Sequence, residues 1–155
     1  MNLIQKIFQR IFTPLLKPCI EDIVYRKIHV WGSHERLKIS KTARLVNTLL
    51  NTSSGRIEIG DDTFTGHNVS IITGSHDYNL FLKERMNTFP KEGRDIIIGK
   101  GVWIGSNAVI LGPCKIGDHA VIGAGAVVVP NTDIQEGGIA TGIPAKVVKV
   151  ITVRT

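Results

Sequence analysis

From Ile98 the chain falls into six-residue units without a break. They read Ile98-Gly-Lys-Gly-Val-Trp, Ile104-Gly-Ser-Asn-Ala-Val, Ile110-Leu-Gly-Pro-Cys-Lys, Ile116-Gly-Asp-His-Ala-Val, Ile122-Gly-Ala-Gly-Ala-Val and Val128-Val-Pro-Asn-Thr-Asp, and Ile134 opens a seventh. The first position is Ile or Val every time, and the second is Gly in four of the six complete units. The fifth is small or β-branched: Val102, Ala108, Cys114, Ala120, Ala126 and Thr132. Upstream, Ile59, Thr65 and Ile71 open three more units, with Thr63, Val69 and Ser75 fifth. Ile39 and Leu45 open two others, with Ala43 and Leu49 fifth. Two interruptions break the phase: about two extra residues near Ser53 and Ser54, and a long insertion between His76 and Ile98.

A period of six fits neither a 3.6-residue helix nor a simple alternating strand. A short fixed repeat is the mark of a solenoid. Short strands joined by glycine-bearing corners satisfy the pattern. The large aliphatic residue points inward, the corner follows, and a small residue returns inward where space is tight. Three such strands make a triangular coil, and coils stack at strand spacing, about 4.8 Å. This explains how a chain with only 6% aromatic residues fills a core from a 43% hydrophobic share. The 155 residues suffice for one domain. Cys114 takes a small inward position, which reads as packing rather than chemistry.

The charge is unevenly placed. Residues 1–44 hold nine Lys or Arg and three acids, Glu21, Asp22 and Glu35; residues 45–155 hold ten of each sign. The whole net charge of +6 therefore sits in the first 44 residues. No helix-turn-helix, zinc or RNA-binding signature accompanies it, so no nucleic-acid partner is expected. No apolar run reaches the roughly 18–20 residues of a membrane span. The N-terminal apolar residues are broken by Lys6, Arg10 and Lys17, unlike a signal peptide. Two cysteines, Cys19 and Cys114, make neither a disulfide framework nor a zinc cluster. The expectation is a cytoplasmic protein, peripheral at the inner membrane face if its N-terminus binds lipid.

Residues 37–151 resemble the hexapeptide-repeat acyltransferases, whose fold is a left-handed parallel β-helix. The resemblance rests on Ile-Gly-Asp-Asp at 59–62, Thr-Gly-Ser-His-Asp at 73–77, Val-Trp-Ile-Gly-Ser at 102–106, Ile-Gly-Ala-Gly-Ala at 122–126 and Gly-Ile-Pro-Ala-Lys at 142–146. It is strongest to the sugar O-acetyltransferases, both the galactoside/maltose type and those that decorate exopolysaccharides. The left hand comes from the family, since the usual crossover preference is right-handed. The implied architecture is all-β: an N-terminal helical basic segment over 1–36, the β-helix over 37–142 with an insertion loop at 77–95, and a C-terminal tail over 143–155.

Of five histidines, His29 and His34 precede the coils, and His67 and His119 fall at outward corner positions. His76 closes the last unit before the insertion, where a loop can project over the coil surface. The resemblance implies that His76 is a general base. A sugar hydroxyl is too weak an acid to attack a thioester unaided. A neutral imidazole, ordinarily titrating near pH 6.5, can take its proton. The tetrahedral oxyanion then needs a donor, and the resemblance implies the amide near Ser106. Asp77 could orient His76 or grip the acceptor, but adjacent side chains on a strand point apart, and a solvated loop residue is the other reading.

The resemblance also implies acetyl-CoA as donor, no metal, and a groove between subunits of a homotrimer. Gly105, Ser106, Gly123 and Ala124 fit the family's small groove positions. Lys146 and Lys149 match its basic positions for the 3′-phosphate end, with a solvated tail as the plain alternative. Trp103, outward at a sixth position, reads as a groove wall or as interface packing. Asn47 is similar to a family asparagine on the acceptor side, so Asn47 and Asp77 are the substrate-binding candidates for a saccharide.

Residues 2–13 read as an amphipathic helix, apolar at Leu3, Ile4, Ile7, Phe8, Ile11 and Phe12, and ended by Pro14 and Pro18. Capping the open coil is the favoured reading of residues 1–18. Peripheral contact with an anionic membrane is the alternative. Three other functions compete with O-acetylation. An amino-sugar N-acetyltransferase would share fold, donor and base. A zinc carbonic anhydrase on this fold needs three histidines, and His29 and His34 stand in the wrong order for it. A non-catalytic scaffold leaves the position of His76 beside a loop unexplained.

Overall fold

The computed structural model describes residues 2–21 and 28–152. The link between the N-terminal helix and the coil, and the last residues of the expected tail, lie outside them. The chain opens with helix α1 (Leu3–Glu21). Among the described residues fifteen short strands follow: β1 (His29–Trp31), β2 (Leu37–Ile39), β3 (Leu49–Asn51), β4 (Ile57–Ile59), β5 (Phe64–Thr65), β6 (Ser70–Ile72), β7 (Ile96–Ile98), β8 (Trp103–Ile104), β9 (Val109–Leu111), β10 (Cys114–Ile116), β11 (Val121–Ile122), β12 (Val127–Val128), β13 (Thr132–Ile134), β14 (Gly138–Thr141) and β15 (Lys146–Val150). A second helix, α2 (Leu82–Asn87), stands in the insertion between β6 and β7.

The strands form three faces. The first is β1-β3-β6-β9-β12, the second β2-β4-β7-β10-β13, and the third β5-β8-β11-β14-β15. All pairings are parallel except β14 with β15. Arg44 adds a parallel bridge to Phe64, so each face has five parallel rungs and the chain makes five coils. Trp103 lies over Val121 and Val121 over Ile139, a step of three six-residue units per coil. The fold is the left-handed parallel β-helix.

First-position residues stack into inward columns. Ile59, Ile98, Ile116 and Ile134 line the second face and are nearly fully buried. Leu50, Ile71, Ile110 and Val128 do the same on the first. Val102, Ala108, Ala120 and Ala126 return inward at the fifth position, where only small side chains fit. Cys114 is buried in that series, and burial, with Asp133 adding to it, pushes its thiol up to about 12. The packing reading of Cys114 stands.

The corners work differently from the sequence expectation. The residue in the left-handed region is the fourth of the unit: Asp62, Asn68, Asn107, His119 and Asn131 all have positive φ. The second-position glycine answers a different constraint. A Cβ on Gly60 would lie 2.6 Å from the Gly99 carbonyl oxygen on the next coil. These glycines let coils approach, while Asn, Asp, His or a fourth-position glycine makes the bend.

Other boundaries shift too. The unit opening at Leu45 is one residue short. Leu50, not Leu49, turns inward, and Thr48 takes the small buried place. Ser75 does not continue the coil, because the chain departs after β6 and Ile96 takes the rung under Cys114. The coil starts at β1, ahead of the boundary expected at residue 37. The expected C-terminal tail forms β15, which folds back on β14 and covers that edge. Finally, α1 does not stop at Pro14: it runs through Pro14 and Pro18 to Glu21. Its large apolar residues stay exposed among the described residues.

Candidate functional site

The insertion leaves the third coil at the corner between first and second faces. Three arginines tie it down. Arg36 donates to the carbonyls of Thr52 and Ser53 on the coil and, at 2.9 Å, of Lys91 on the loop. Arg94 Nε donates to the Thr73 carbonyl at 2.7 Å. Arg56 gives its amide to Asp95 Oδ1 at 2.8 Å and its guanidinium to Oδ2 at 2.9 and 3.1 Å. The amide bond, helped by the guanidinium, holds the Asp95 carboxyl below the usual carboxylate range.

At the root of this loop stands His76. Its Nδ1 lies 2.8 Å from the Arg85 carbonyl oxygen and 3.2 Å from that of Thr88. Both partners only accept, so Nδ1 carries the proton and donates. The Nε2 lone pair is then left for a proton acceptor's work. The Arg85 guanidinium donates in turn to the Tyr78 and Leu80 carbonyls, closing the loop on itself. The Phe89 ring meets the imidazole edge-on, centroids 6.1 Å apart. Asp77 turns away: its Oδ1 accepts from the Asn79 amide at 2.9 Å and side chain at 3.1 Å. It shapes the loop and does not orient His76.

Every residue expected to hold the donor lies elsewhere, on the third face and the corner that follows it. Trp103, half exposed on β8, stacks on Phe64 of β5, centroids 6.1 Å apart and planes 12° off parallel. Gly105 and Ser106 form the corner after β8, and Gly123 and Ala124 the corner after β11. Gly105 lies so close to the next coil that a Cβ would sit 2.8 Å from Ala124 Cα. The Ser106 hydroxyl accepts from the His67 amide at 3.1 Å, and its carbonyl from Gly125 at 2.9 Å. On β15, Lys146 stands opposite Thr141 and Lys149 opposite Ile139, so both lysines share the outer surface with Trp103 and Val121. Both are exposed.

Asn47 belongs to the same corner column, at the first coil. It has φ 43° and donates to the Asn68 side chain, which reaches Asn107 at 3.4 Å. It is thus part of a corner ladder, on a different edge of the prism from His76. Sequence reasoning missed Phe64, although it holds the same sixth position as Trp103. It also missed Arg85 and Thr88, which act through backbone carbonyls. Among the described residues no three His, Cys, Asp or Glu side chains converge.

The profile of a family described as bacterial transferase hexapeptide (six repeats) matches residues 95–130. Over 100 residues the chain is 37% identical to the galactoside O-acetyltransferase of Escherichia coli (strain K12), covering 63% of this chain and 46% of that protein. The matched stretch thus spans less than half the length of that relative. A maltose O-acetyltransferase from Clostridium difficile 630 is similar at 30% identity and a TM-score of 0.55, covering 83% of this chain and 68% of that one. A hexapeptide-repeat acetyltransferase of Vibrio cholerae O1 biovar eltor, solved with acetyl coenzyme A, shares the fold at 24% identity and a TM-score of 0.55, over 90% of this chain and 79% of that one. With the repeat, the coil it builds and these similarities in agreement, the chain belongs to the hexapeptide-repeat acetyltransferase family.

Proposed function

We propose that the protein transfers an acetyl group from acetyl-CoA to a hydroxyl of a saccharide acceptor, with His76 as general base. The observation that carries this reading is the imidazole's setting: Nδ1 donates to two loop carbonyls, so Nε2 is the basic nitrogen. Nε2 takes the hydroxyl proton as the oxygen attacks the thioester carbonyl. The carbonyl π pair moves to oxygen, and the oxyanion is met by a backbone amide such as that of Ser106. Collapse breaks the carbon–sulfur bond, and the imidazolium returns its proton to the departing thiolate. No covalent enzyme intermediate is required.

The donor lies along the third face, over Trp103 and the small residues at Gly105, Ser106, Gly123 and Ala124, with its 3′-phosphate end toward Lys146 and Lys149. In one chain His76 and Ser106 stand on corners separated by the first face, on the order of 10–15 Å at about 3.3 Å per strand residue. A homotrimer that sets the base corner of one subunit against the donor face of its neighbour would bring the two together. The acceptor is a saccharide of polysaccharide assembly, with Asp77 and Asn47 the candidates to grip it.

The test is His76→Ala, assayed by free thiol release with acetyl-CoA and a panel of sugars. Turnover should fall about 10²–10⁴-fold with acetyl-CoA affinity unchanged. A variant that keeps more than about a third of wild-type turnover removes the assignment.

A further inference from the structure

Helix α1 presents an apolar surface that stays exposed among the described residues. Leu3, Ile4, Ile7, Phe8, Ile11 and Leu15 are 51–73% exposed. At roughly 100° per residue they form one broad face, and Lys6, Arg10 and Lys17 fall within about 40° along one border of it. No acid occurs between Asn2 and Ile20. The helix is not long and apolar enough to cross a membrane.

Three further observations decide what covers it. Pro14 and Pro18 have no N–H, so the carbonyls of Arg10 and Pro14 lose their helical donors. The Arg10 carbonyl sits on the cationic border, where water or headgroups can serve it and a dry protein seam would leave it unpaired. The coil's entry end has the same sign of charge: residues 28–44 carry Arg36, Lys38, Lys41 and Arg44 against Glu35 alone. Trp31, on the edge strand β1 at that end, is 70% exposed, and Trp is the residue type that settles at membrane interfaces.

We infer that α1 lies in the surface of an anionic bilayer, its apolar face among the acyl chains and Lys6 and Arg10 at the lipid phosphates, with Trp31 and the cationic end of the coil toward the same surface. The inference is independent of the reaction assigned to His76. Flotation of the full chain with phosphatidylcholine vesicles, with and without about a quarter phosphatidylglycerol, tests it. The protein should float with anionic vesicles at about 50 mM salt, much less at about 500 mM, and not with neutral ones. Lys6→Gln with Arg10→Gln should weaken partitioning about fivefold per charge, roughly 25-fold together. Ile7→Ser with Phe8→Ser keeps the charges and should also abolish flotation, which loose electrostatic adsorption would not do. The thermal transition of the coil serves as the folding control. Protein that stays unbound with anionic vesicles at low salt overturns the inference, as does a charge variant that floats like wild type. So does an Ile7→Ser, Phe8→Ser variant that loses oligomeric mass while its flotation is unchanged, which would make a second copy the occupant.

Discussion

Two glycine substitutions separate the two jobs that corner residues perform. In Gly60→Ala the new Cβ would lie 2.6, 2.7 and 2.9 Å from the Gly99 oxygen, the Gly99 carbon and the Lys100 nitrogen. All three are backbone atoms of the next coil, so no side chain can swing aside. Relief to ordinary contact needs a shift of about 0.5–0.8 Å, against the 2.9 Å bond from the Gly60 amide to the Ile98 carbonyl. Overpacking of this kind costs about 1–3 kcal/mol. For a chain of this size that is a fall in Tm of roughly 3–10 °C. At Gly125 the situation reverses. Its φ is +68° and a Cβ there would meet open space. Asn68 and Asn107 hold the same corner at φ 58° and 61°, so Gly125→Asn should stay within about 0.5 kcal/mol, or about 2 °C. Circular dichroism melts of both variants at one fixed protein concentration provide the comparison. If Gly125→Asn melts as low as Gly60→Ala, or Gly60→Ala melts like wild type, the assignment of close approach to the second position and bending to the fourth is wrong.

The remaining expectations concern the thiols and the donor face. Native protein treated with iodoacetamide near pH 8 should carry one adduct, on exposed Cys19, because burial has pushed the Cys114 thiol up to about 12; rapid double modification detected by mass spectrometry contradicts that. Lys146→Ala and Lys149→Ala should weaken acetyl-CoA several-fold more than the donor lacking the 3′-phosphate, at one charge-assisted contact each. Equal losses with both donors would assign the lysines to packing of β15.

The coil was legible because its constraint is periodic. An inward column is a sum of identical short-range choices, and Ile59, Ile98, Ile116 and Ile134 each repeat the same one. Phase errors arose where that sum was interrupted. The unit at Leu45 is short by one residue, and Leu49 and Leu50 are chemically alike, so only the ladder pairing of Leu50 with Ile71 decides between them. The end of α1 was misplaced for a different reason. Proline removes a donor and disfavours a helix interior, yet Pro14 and Pro18 stand one turn apart, and the exposed helix continues through both. The C-terminal strand was invisible because β15 reverses direction and obeys no hexad phase; only the unpaired edge of β14 demanded a partner.

As a candidate, His76 stood out for the opposite reason: it stands where the repeat fails, and loops that leave a rigid scaffold are where function concentrates. Its ring tautomer was not legible. The groups that fix it are main-chain carbonyls nine and twelve residues farther on, and a carbonyl has no sequence signature. The donor face shows a third case. Gly105 and Gly123 join because 18-residue coils stack them on one surface, and Lys149 joins them through the reversed strand β15, so the repeat that hides function in uniform packing also aligns it. A periodic scaffold fixes which residues share a face but not which corner of another subunit that face meets. With the base on one corner and the small-residue groove beside another, the proposed reaction would need a neighbouring subunit to bring them together, and substitutions that open the proposed subunit contact should then cost turnover while the coil itself stays folded.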